Sequence, residues 1–504
     1  MTWIYWAGFL VYAFVVLFIG WSGYKKQPKS PDNNLDFWAA GKSLNSWSSG
    51  LSISASFMSI SWSCVYDVQL FYWYGIGALW LLAIPWLIVM LFYYFLVPFF
   101  RKLPAFSQPE MLAQKFGNKI RLYFALPLAL VFLVWAGAEI FAAAQILSPI
   151  LNINFQIILA LVTVIVAGYS YLGGFSAVVM TDKLQYALVA FFIIAIAAVS
   201  GHAVLTTTDV SGFLMHIPNP PKTNLSPFAL FAAGPVLIVL TLIAYLPGWI
   251  IETDIWLRLQ ASRSNSDAKK GVLISSINSI LFIAVFPLFI GLAALYLYPP
   301  SGAAIPSELN DGAAIFAVLI RDHSPTLLSV VLVIGLSAAS MSTIDTCSNV
   351  MALSLSYDIL EPRLSKKNSS LDMEKLARMM SAGAVFLAYI YALFTESLWD
   401  IFYLSSGILT TTIFIPLMAL LFFPATSRSQ VKYAAISGFL STLLFYFLES
   451  RGHLVTIEPS WLSESGLGYI LWGLLFCVIG FFLGKIESPV LATDEKIEKM
   501  EMNE

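Results

Sequence analysis

The sequence predicts an all-α membrane protein with about 13 transmembrane helices, each about 20 residues long. Of its 504 residues, 59% are hydrophobic and only 11% are charged, and the mean hydropathy is +0.80. Such a chain has too little polar surface to cover a soluble globule. Apolar runs long enough to cross a bilayer recur along almost the whole length, and helices satisfy the buried backbone of each run.

The predicted spans follow one another without an intervening soluble domain. They cover residues 3–23, 46–75, 77–100, 122–146, 155–172, 182–205, 229–251, 272–297, 326–357, 379–395, 399–423, 433–447 and 467–484. The first span lacks a basic flank and a small-residue cleavage site, so we interpret it as a retained helix and not as a signal peptide. Cys64, Cys347 and Cys477 all fall inside spans, which argues against a disulfide framework and a zinc site.

The basic residues predict the orientation of the chain. If the N-terminus lies outside, all but Lys222, Arg321 and Arg451 of the 27 Lys and Arg residues fall on the cytoplasmic side. Positive charge is typical of cytoplasmic loops, so we expect an external N-terminus and a cytoplasmic C-terminus. The membrane would be the plasma membrane, which is the inner membrane in a bacterium. Because topology accounts for the basic loops, we expect no binding to nucleic acid.

The number of spans indicates an internal repeat. Without the first helix and the last two, ten spans remain, and five plus five is typical of an inverted repeat with broken helices at its centre. In such a repeat the second and seventh spans are equivalent: one is dense in serine and the other contains Pro247-Gly248, and both features weaken a continuous helix. The predicted units are 1–45 (first helix and basic loop), 46–228 and 229–424 (the two repeats), 425–485 (two helices) and 486–504 (tail).

Serines line one face of the second span. Ser52, Ser56, Ser59 and Ser63 are spaced at helical intervals. Close packing of small residues between membrane helices explains this pattern as well as a binding site does. The serine face alone therefore leaves both interpretations open.

The ninth span carries a more specific polar ridge. Ala339, Ser342, Thr343 and Thr346 share one helical face, and Asp345 lies alongside. A charge at the centre of a membrane helix costs roughly 3 kcal/mol, which favours a functional role for the aspartate. Hydroxyl, carbonyl and carboxylate oxygens are the ligands of hard cations. An unwound second span facing this ridge would therefore supply a sodium site.

Four motifs connect the chain to a known family. They are "DFWAAGKSLNSWSSGLS" (36–52), "SQPEMLAQKFG" (107–117), "YLGGFSAVVMTDKLQ" (171–185) and "ETDIWLRLQASRS" (252–264). Together they resemble the sodium:solute symporter family, which includes sodium-coupled sugar, proline, sialate, iodide and choline carriers. The resemblance covers nearly the whole chain, and it implies a LeuT-type five-plus-five inverted repeat.

The same resemblance implies the sodium ligands. The main site would consist of the carbonyls of Ala55, Met58 and Ala339 and the hydroxyls of Ser342 and Thr343. Some members bind a second sodium, and its residues here would be Asp182, Ser342, Asp345 and Thr346. The aspartate at position 345 departs from the family's hydroxyl, which leaves the second ion open. Asp182 also fits a plain helix N-cap after Thr181.

The expected function is sodium-coupled symport of a small organic solute into the cell by alternating access. A membrane sensor built on the same fold and a proton-coupled carrier are the alternatives. The chain has no paired catalytic constellation, so we do not expect an enzyme. Apart from the solute and the lipid bilayer we expect no partner, and the protein would be a monomer or a loose oligomer.

The solute is expected to bind beside the broken segments. The candidate residues are Phe57, Ser59, Trp62, Tyr66, Asp67, Trp249, Glu252 and Asp254. Aromatic rings can stack on a sugar or hold an ammonium group by cation–π attraction. The carboxylates of Asp67, Glu252 and Asp254 favour a solute with an amino group, although a water-filled vestibule would also accommodate them. We interpret Arg258 as a helix-end anchor in preference to a gate.

Overall fold

The computed structural model describes residues 2–25, 42–103, 105, 107–364, 373–395 and 398–487. Throughout these residues the regular structure is helical, and the described segments contain no β-strand. Two isolated β-bridges, Leu44 with Ser262 and Ser301 with Ala304, also occur among the described residues.

The first group of helices ends with α8. Up to that point they are α1 (Thr2–Lys25), α2 (Ser46–Phe57), a π-helical segment (Ile60–Tyr66), α3 (Asp67–Tyr74), a 3-10 segment (Gly75–Trp80), α4 (Ala83–Phe100), α5 (Gln108–Phe116), α6 (Asn118–Leu151), α7 (Phe155–Leu205) and α8 (Val210–His216).

The following group begins with a second broken helix. It consists of α9 (Pro235–Ile250), α10 (Thr253–Ala261), α11 (Asn265–Ser279), a π-helical segment (Ile280–Val285), α12 (Phe286–Leu297), a 3-10 segment (Ser307–Gly312), α13 (Ile315–His323), α14 (Thr326–Ala352), a π-helical segment (Leu353–Leu360) and α15 (Glu361–Leu364). The remaining elements are α16 (Met373–Ala392), α17 (Leu398–Ile408), a π-helical segment (Leu409–Phe414), α18 (Ile415–Phe422), α19 (Arg428–Ser450), α20 (Ser460–Ser463) and α21 (Gly468–Glu487).

Helix length and composition support a membrane protein with many crossings. In the part of the chain that the structure describes, nine helical segments are long and apolar enough to span a membrane, and Trp3–Ile19 and Phe155–Tyr171 are shorter apolar helices. The predicted all-helical class is confirmed. The exact number of about 13 is not confirmed, because the second predicted span is broken and α16, which holds most of the tenth, carries Lys375 and Arg378 in its first turns.

α7 holds two of the predicted spans, 155–172 and 182–205, in one helical segment of 51 residues. Tyr169 and Asp182 are 13 residues apart, a distance of about 20 Å in a straight helix. Yet the Tyr169 hydroxyl donates to the carbonyl of Met341, and Asp182 accepts from the neighbouring Ser342. Both ends of this interval therefore contact adjacent residues of α14.

Two helices are interrupted inside the bundle. The first broken helix comprises α2, the Ile60–Tyr66 segment and α3. Its interruption lies at Met58 and Ser59, where Ser59 is extended with φ −93° and ψ 163°. The second broken helix comprises α9 and α10 and is interrupted at Ile251 and Glu252. Both of the weak spans predicted from the sequence are therefore broken.

Pro247 weakens α9 three residues before its end. A proline has no N–H and disturbs the preceding turn of a helix. The Thr410 hydroxyl accepts from the Gly248 N–H at 3.0 Å and donates to the Ala244 carbonyl at 2.8 Å. This hydroxyl replaces the backbone bond between Ala244 and Gly248, so the opened turn keeps its polar groups satisfied.

α14 is the central helix of the bundle. From Leu332 to Leu353 nearly every side chain is buried, and the helix packs against α6, α7 and α16. Large apolar side chains such as Phe95, Leu126 and Phe191 are exposed on the outer helices, as expected of surfaces that face lipid. The polar ridge of α14 therefore lies in the interior, where it faces the first broken helix.

Candidate functional site

The interruption of the first broken helix frees backbone carbonyls. The N–H of Met58 still donates to the Ser54 carbonyl at 3.0 Å, and α2 ends at Phe57. The carbonyls of the last turn of a helix have no donor within that helix. Ala55 and Met58, the two positions predicted to bind sodium through their carbonyls, therefore belong to this freed turn, and both residues are fully buried.

The polar ridge of α14 lies against this turn. The Thr343 hydroxyl donates to the Ser56 carbonyl at 3.2 Å, and the Ser342 hydroxyl donates to the Asp182 carboxylate at 3.0 Å. Ala339 is fully buried one turn earlier on the same face. The structure thus places Thr343 of the predicted main sodium site against the end of α2, and the predicted set of carbonyl and hydroxyl donors suits a hard monovalent cation.

Arg258 has a larger structural role than the sequence indicated. Its side chain is fully buried in α10 and not at an exposed helix end. It contacts three other helices through Asp182, Ser52 and Thr346, at 3.3, 2.9 and 3.1 Å, and it contacts Asp254 of its own helix at 3.2 Å. The guanidinium therefore ties the second broken helix to α2, α7 and α14.

Two of the residues predicted for a second sodium site, Asp182 and Thr346, contact this guanidinium. Asp182 lies inside α7 and accepts from Ser52, Ser342 and Arg258, so its alternative interpretation as an N-cap is wrong. The Asp345 Oδ1 is 3.5 Å from the Thr346 hydroxyl, and its Oδ2 has no hydrogen-bond partner among the described residues. An arginine therefore contacts two of the four predicted residues directly, and Ser342 is joined to it through Asp182.

A cavity of about 70 Å³ lies beside the first interruption. Its lining contains the sequence-predicted residues Phe57, Ser59, Trp62, Trp249, Glu252 and Asp254, and also Thr343 and Thr346. Tyr66 and Asp67 do not line it. Asp67 is fully buried in the first turn of α3, and neither carboxylate oxygen has a hydrogen-bond partner in the described structure. The argument for an amino group that rested on Asp67 therefore loses its geometric support.

Seven of the 19 residues that line the cavity are aromatic. The indoles of Trp62, Trp86 and Trp249 meet edge to face, with ring centroids 4.9 to 5.5 Å apart. Trp135 and Phe402 extend the wall on the side of α6 and α17. The sequence analysis did not include Trp86, Trp135 or Phe402, since aromatic residues are common in every span and carry no individual signal.

Glu139 is the charged residue of the cavity that the sequence analysis missed. It lies in α6 and is 1% exposed. Both of its carboxylate oxygens lie 3.3 Å from the Ser61 N–H, and the Ser61 hydroxyl also donates to the carboxylate. A signal existed, because an ionisable residue within an apolar span marks a functional candidate.

Comparison with known proteins identifies the family. The family model described as "Sodium:solute symporter family" matches residues 37–438. The chain belongs to the sodium:solute symporter family. As a member of this family it is a multi-pass, sodium-coupled transporter of a small solute and not an enzyme.

Relatives and solved structures agree with this assignment. The sodium/sialic acid symporter SiaT of Proteus mirabilis is 23% identical over 493 residues, which cover 94% of this chain and 92% of the relative. NanT of Aliivibrio fischeri, another sodium/sialic acid symporter, is 24% identical over 395 residues, 75% of each chain.

The solved structures support the fold of this family member. A Na⁺-coupled sialic acid symporter in a substrate-bound outward-open state has a TM-score of 0.72 at 20% identity, covering 96% of this chain and 98% of that chain. Mhp1, a nucleobase-cation-symport-1 family transporter in a closed conformation, has a TM-score of 0.52 at 12% identity and covers 90% and 95%. These similarities show a LeuT-like transporter fold.

Proposed function

We propose that the protein carries a small organic solute into the cell together with sodium by alternating access. The observation that supports this proposal is the position of the first interruption. The carbonyls freed at the end of α2 face the hydroxyls of α14, and the Thr343 hydroxyl contacts the Ser56 carbonyl at 3.2 Å. A sodium ion at this junction would join two helices that must separate when the site opens, which couples the ion to the conformational change.

The proposed sodium ligands are the carbonyls of Ala55, Met58 and Ala339 and the hydroxyls of Ser342 and Thr343. These five residues are buried, and they offer neutral oxygens with Asp182 directly behind Ser342. A carboxylate next to a shell of neutral oxygens stabilises a monovalent cation without binding it too tightly for release.

Arg258 bears on the number of sodium ions. Its guanidinium contacts both Asp182 and Thr346, and a second cation between them would be repelled at this short range. We therefore propose one sodium per cycle while Arg258 stays on Asp182. A Hill coefficient near 2 for sodium would contradict this and would favour the second site at Asp182, Ser342, Asp345 and Thr346.

One sodium supplies enough energy for accumulation. At a membrane potential of about −100 mV and a tenfold gradient, the inward movement of one ion provides about 3.7 kcal/mol. That supports a concentration ratio of about 500-fold for a neutral solute. Two relatives are named for sialic acid, and this acidic sugar therefore belongs among the solutes to be tested.

The proposal includes the topology of the chain. It has about 13 crossings with the N-terminus outside and the C-terminus in the cytoplasm, in the plasma membrane. Residues 46–228 and 229–424 form the two repeats, between the first helix with its loop (1–45) and the two C-terminal helices (425–485) with the tail (486–504). The transport unit is one chain, because the donors of the proposed sodium site all come from a single bundle.

The first experiment measures sodium binding without a solute. The purified protein is heated in sodium chloride and in potassium chloride of equal ionic strength. A bound ion raises the free energy of unfolding by about 2.7 kcal/mol when its concentration is 100 times its Kd, and the unfolding midpoint rises with it. We expect sodium to stabilise the wild type and not the double variant Ser342→Ala, Thr343→Ala. Ser340→Ala is the matched control, because its buried hydroxyl bonds back to the Ser337 carbonyl.

The second experiment measures transport in proteoliposomes. Solutes are offered with an inward sodium gradient or with potassium in its place, with and without an inside-negative potential. We expect uptake only with sodium and faster uptake with the potential. Equal uptake in potassium would contradict sodium coupling, and currents far above carrier rates would indicate a channel.

A further inference from the structure

The cavity has an unusual balance of charge for a carrier of acidic solutes. Three carboxylates, of Glu139, Glu252 and Asp254, belong to its lining, and none of the lining residues is Lys, Arg or His. Arg258 pairs with Asp254 at 3.2 Å. Within the described residues neither Glu139 nor Glu252 forms an ion pair. Two carboxylates therefore face the cavity without a cation.

Glu139 occupies the place where an anionic solute would otherwise bind. After the interruption the first broken helix resumes at Ile60 and continues to Tyr74, and its N-terminus points at the cavity. Such an N-terminus attracts anions through its free N–H groups and its dipole. Here the Glu139 carboxylate accepts from both the N–H and the hydroxyl of Ser61. The protein's own carboxylate thus replaces the solute's.

Three of the four tryptophans in the cavity lining donate their indole N–H groups to serines. The indole N–H of Trp86 donates to Ser279, that of Trp249 to Ser406 and that of Trp135 to Ser405, at 3.1, 3.2 and 2.6 Å. These bonds fix the three rings and use their indole donors. The faces of aromatic rings are electron-rich and attract cations.

We propose that the cavity binds an organic cation, with an ammonium group held between the Glu139 carboxylate and the tryptophan faces. This inference rests on the proposed function, since it names the solute class of the symporter. The ammonium supplies the charge that the buried carboxylate lacks, and a carboxylate next to aromatic rings is a common design for recognising ammonium groups. A volume of about 70 Å³ suits a compact solute, equivalent to about five water-sized groups.

The test is ligand-induced stabilisation of the full-length purified protein in sodium chloride. The ammonium probes are tetramethylammonium, choline, betaine aldehyde and tyramine. Glucose is the neutral probe and glucuronate the anionic probe. We expect at least one ammonium probe to raise the unfolding midpoint and the neutral and anionic probes to leave it unchanged. Stabilisation by glucuronate, or by none of the ammonium probes, would overturn the inference.

Glu139→Gln separates the charge of the residue from its hydrogen bonds. Glutamine keeps an oxygen that accepts from Ser61 and removes the charge. Loss of a buried charge partner weakens binding by about 30-fold or more, and we expect that loss for the ammonium probe. Unchanged affinity would show that Glu139 only caps the helix. Glu139→Asp retains the charge and should recover part of the affinity.

Glu449→Gln is the matched control. Glu449 also accepts from the beginning of a helix, through the N–H groups of Gly468 and Tyr469, and it does not line the cavity. We expect less than about a twofold change of affinity for this variant. If Glu139→Gln does not fold, the selectivity of the wild type among the probes still decides the inference.

Failure of the organic-cation inference can be distinguished from failure of the proposed function. If sodium does not stabilise the wild type and uptake does not depend on it, the symport proposal fails. If sodium binds and drives uptake of a neutral or anionic solute, only the assignment of an organic cation fails.

Discussion

The two broken helices differ in what their freed carbonyls contact. At the second interruption, Gln108 donates to the Ile251 carbonyl at 2.7 Å, and the Tyr93 hydroxyl donates to the Trp249 carbonyl at 2.9 Å. At the first interruption, the Ser56 carbonyl accepts from Thr343. Side chains of the bundle thus satisfy the second interruption, while the first faces a ridge of hydroxyls that can share a cation.

The halves that follow the interruptions also differ. After the first, the N-terminus of the resumed helix is bound by the Glu139 carboxylate. After the second, α10 is held by the buried arginine Arg258, which reaches Asp182 and Asp254. In the proposed function the first interruption binds ligands, whereas the second joins helices. The two breaks differ in chemistry because different neighbours contact each of them.

The largest expected effect comes from removing the cation of the second broken helix. Arg258→Met leaves the buried carboxylates of Asp182 and Asp254 without a cation, and we expect a loss of about 3–5 kcal/mol in the free energy of unfolding. Thermal unfolding in detergent measures it. Arg321→Met is the control: Arg321 pairs with Glu308 and Asp322 at the surface, and its loss should cost less than about 1 kcal/mol. Equal effects would contradict the structural role of Arg258.

A smaller effect is expected at the carbonyl of the second interruption. Gln108→Leu leaves the Ile251 carbonyl and the Thr253 hydroxyl unsatisfied, at a cost of about 1–3 kcal/mol in the free energy of unfolding. The sodium concentration for half-maximal stabilisation should not change. Gln156→Leu, at the exposed beginning of α7, is the control. A shift of the sodium dependence in Gln108→Leu would show that both interruptions take part in ion binding.

A substitution at the first interruption should change the sodium dependence and leave the stability without sodium nearly unchanged. Thr343→Val removes a hydroxyl that contacts the Ser56 carbonyl, and we expect the sodium concentration for half-maximal stabilisation to rise about tenfold. Stability in potassium chloride should change little. Thr163→Val provides the control, since the buried Thr163 hydroxyl bonds back to Leu159 of its own helix. An unchanged sodium dependence would remove Thr343 from the proposed site.

The smallest effect is expected at the weakened turn of α9. Thr410→Val removes the hydroxyl between Gly248 and Ala244, and each satisfied group is worth about 1 kcal/mol. We expect the free energy of unfolding to fall by about this amount for each group and the sodium dependence to stay unchanged. Thermal unfolding measures both. Thr412→Val is a neighbouring control, because its buried hydroxyl has no hydrogen-bond partner among the described residues.

Several parts of the site were predictable from the sequence. Ser342, Thr343 and Thr346 were recognised on one face of the ninth span, and α14 places them on one buried face. The serine-rich second span was expected to break, and α2 ends at Phe57. Helical periodicity and the cost of a charge in lipid are local properties, so a single segment reveals them.

Contacts between distant segments were not predictable in the same way. Glu139 meets Ser61, 78 residues earlier, and Arg258 meets Asp182, 76 residues earlier. The sequence placed Asp67 beside the solute and left out Glu139, although both are carboxylates in predicted spans. Which of them faces the cavity depends on the rotation of each helix in the bundle, and packing against neighbours sets that rotation.

The sequence by itself determined the membrane class, the positions of most helices, the two weak spans and the family. Apolar length, periodicity and short motifs are written along the chain, and the bilayer imposes helices on apolar segments. Only the tertiary structure decided that Arg258 is buried among carboxylates and that the Glu139 carboxylate binds the first turn of the resumed helix in the first broken helix. These features arise where helices meet, because a buried charge is stable only beside the partner that the packing brings to it.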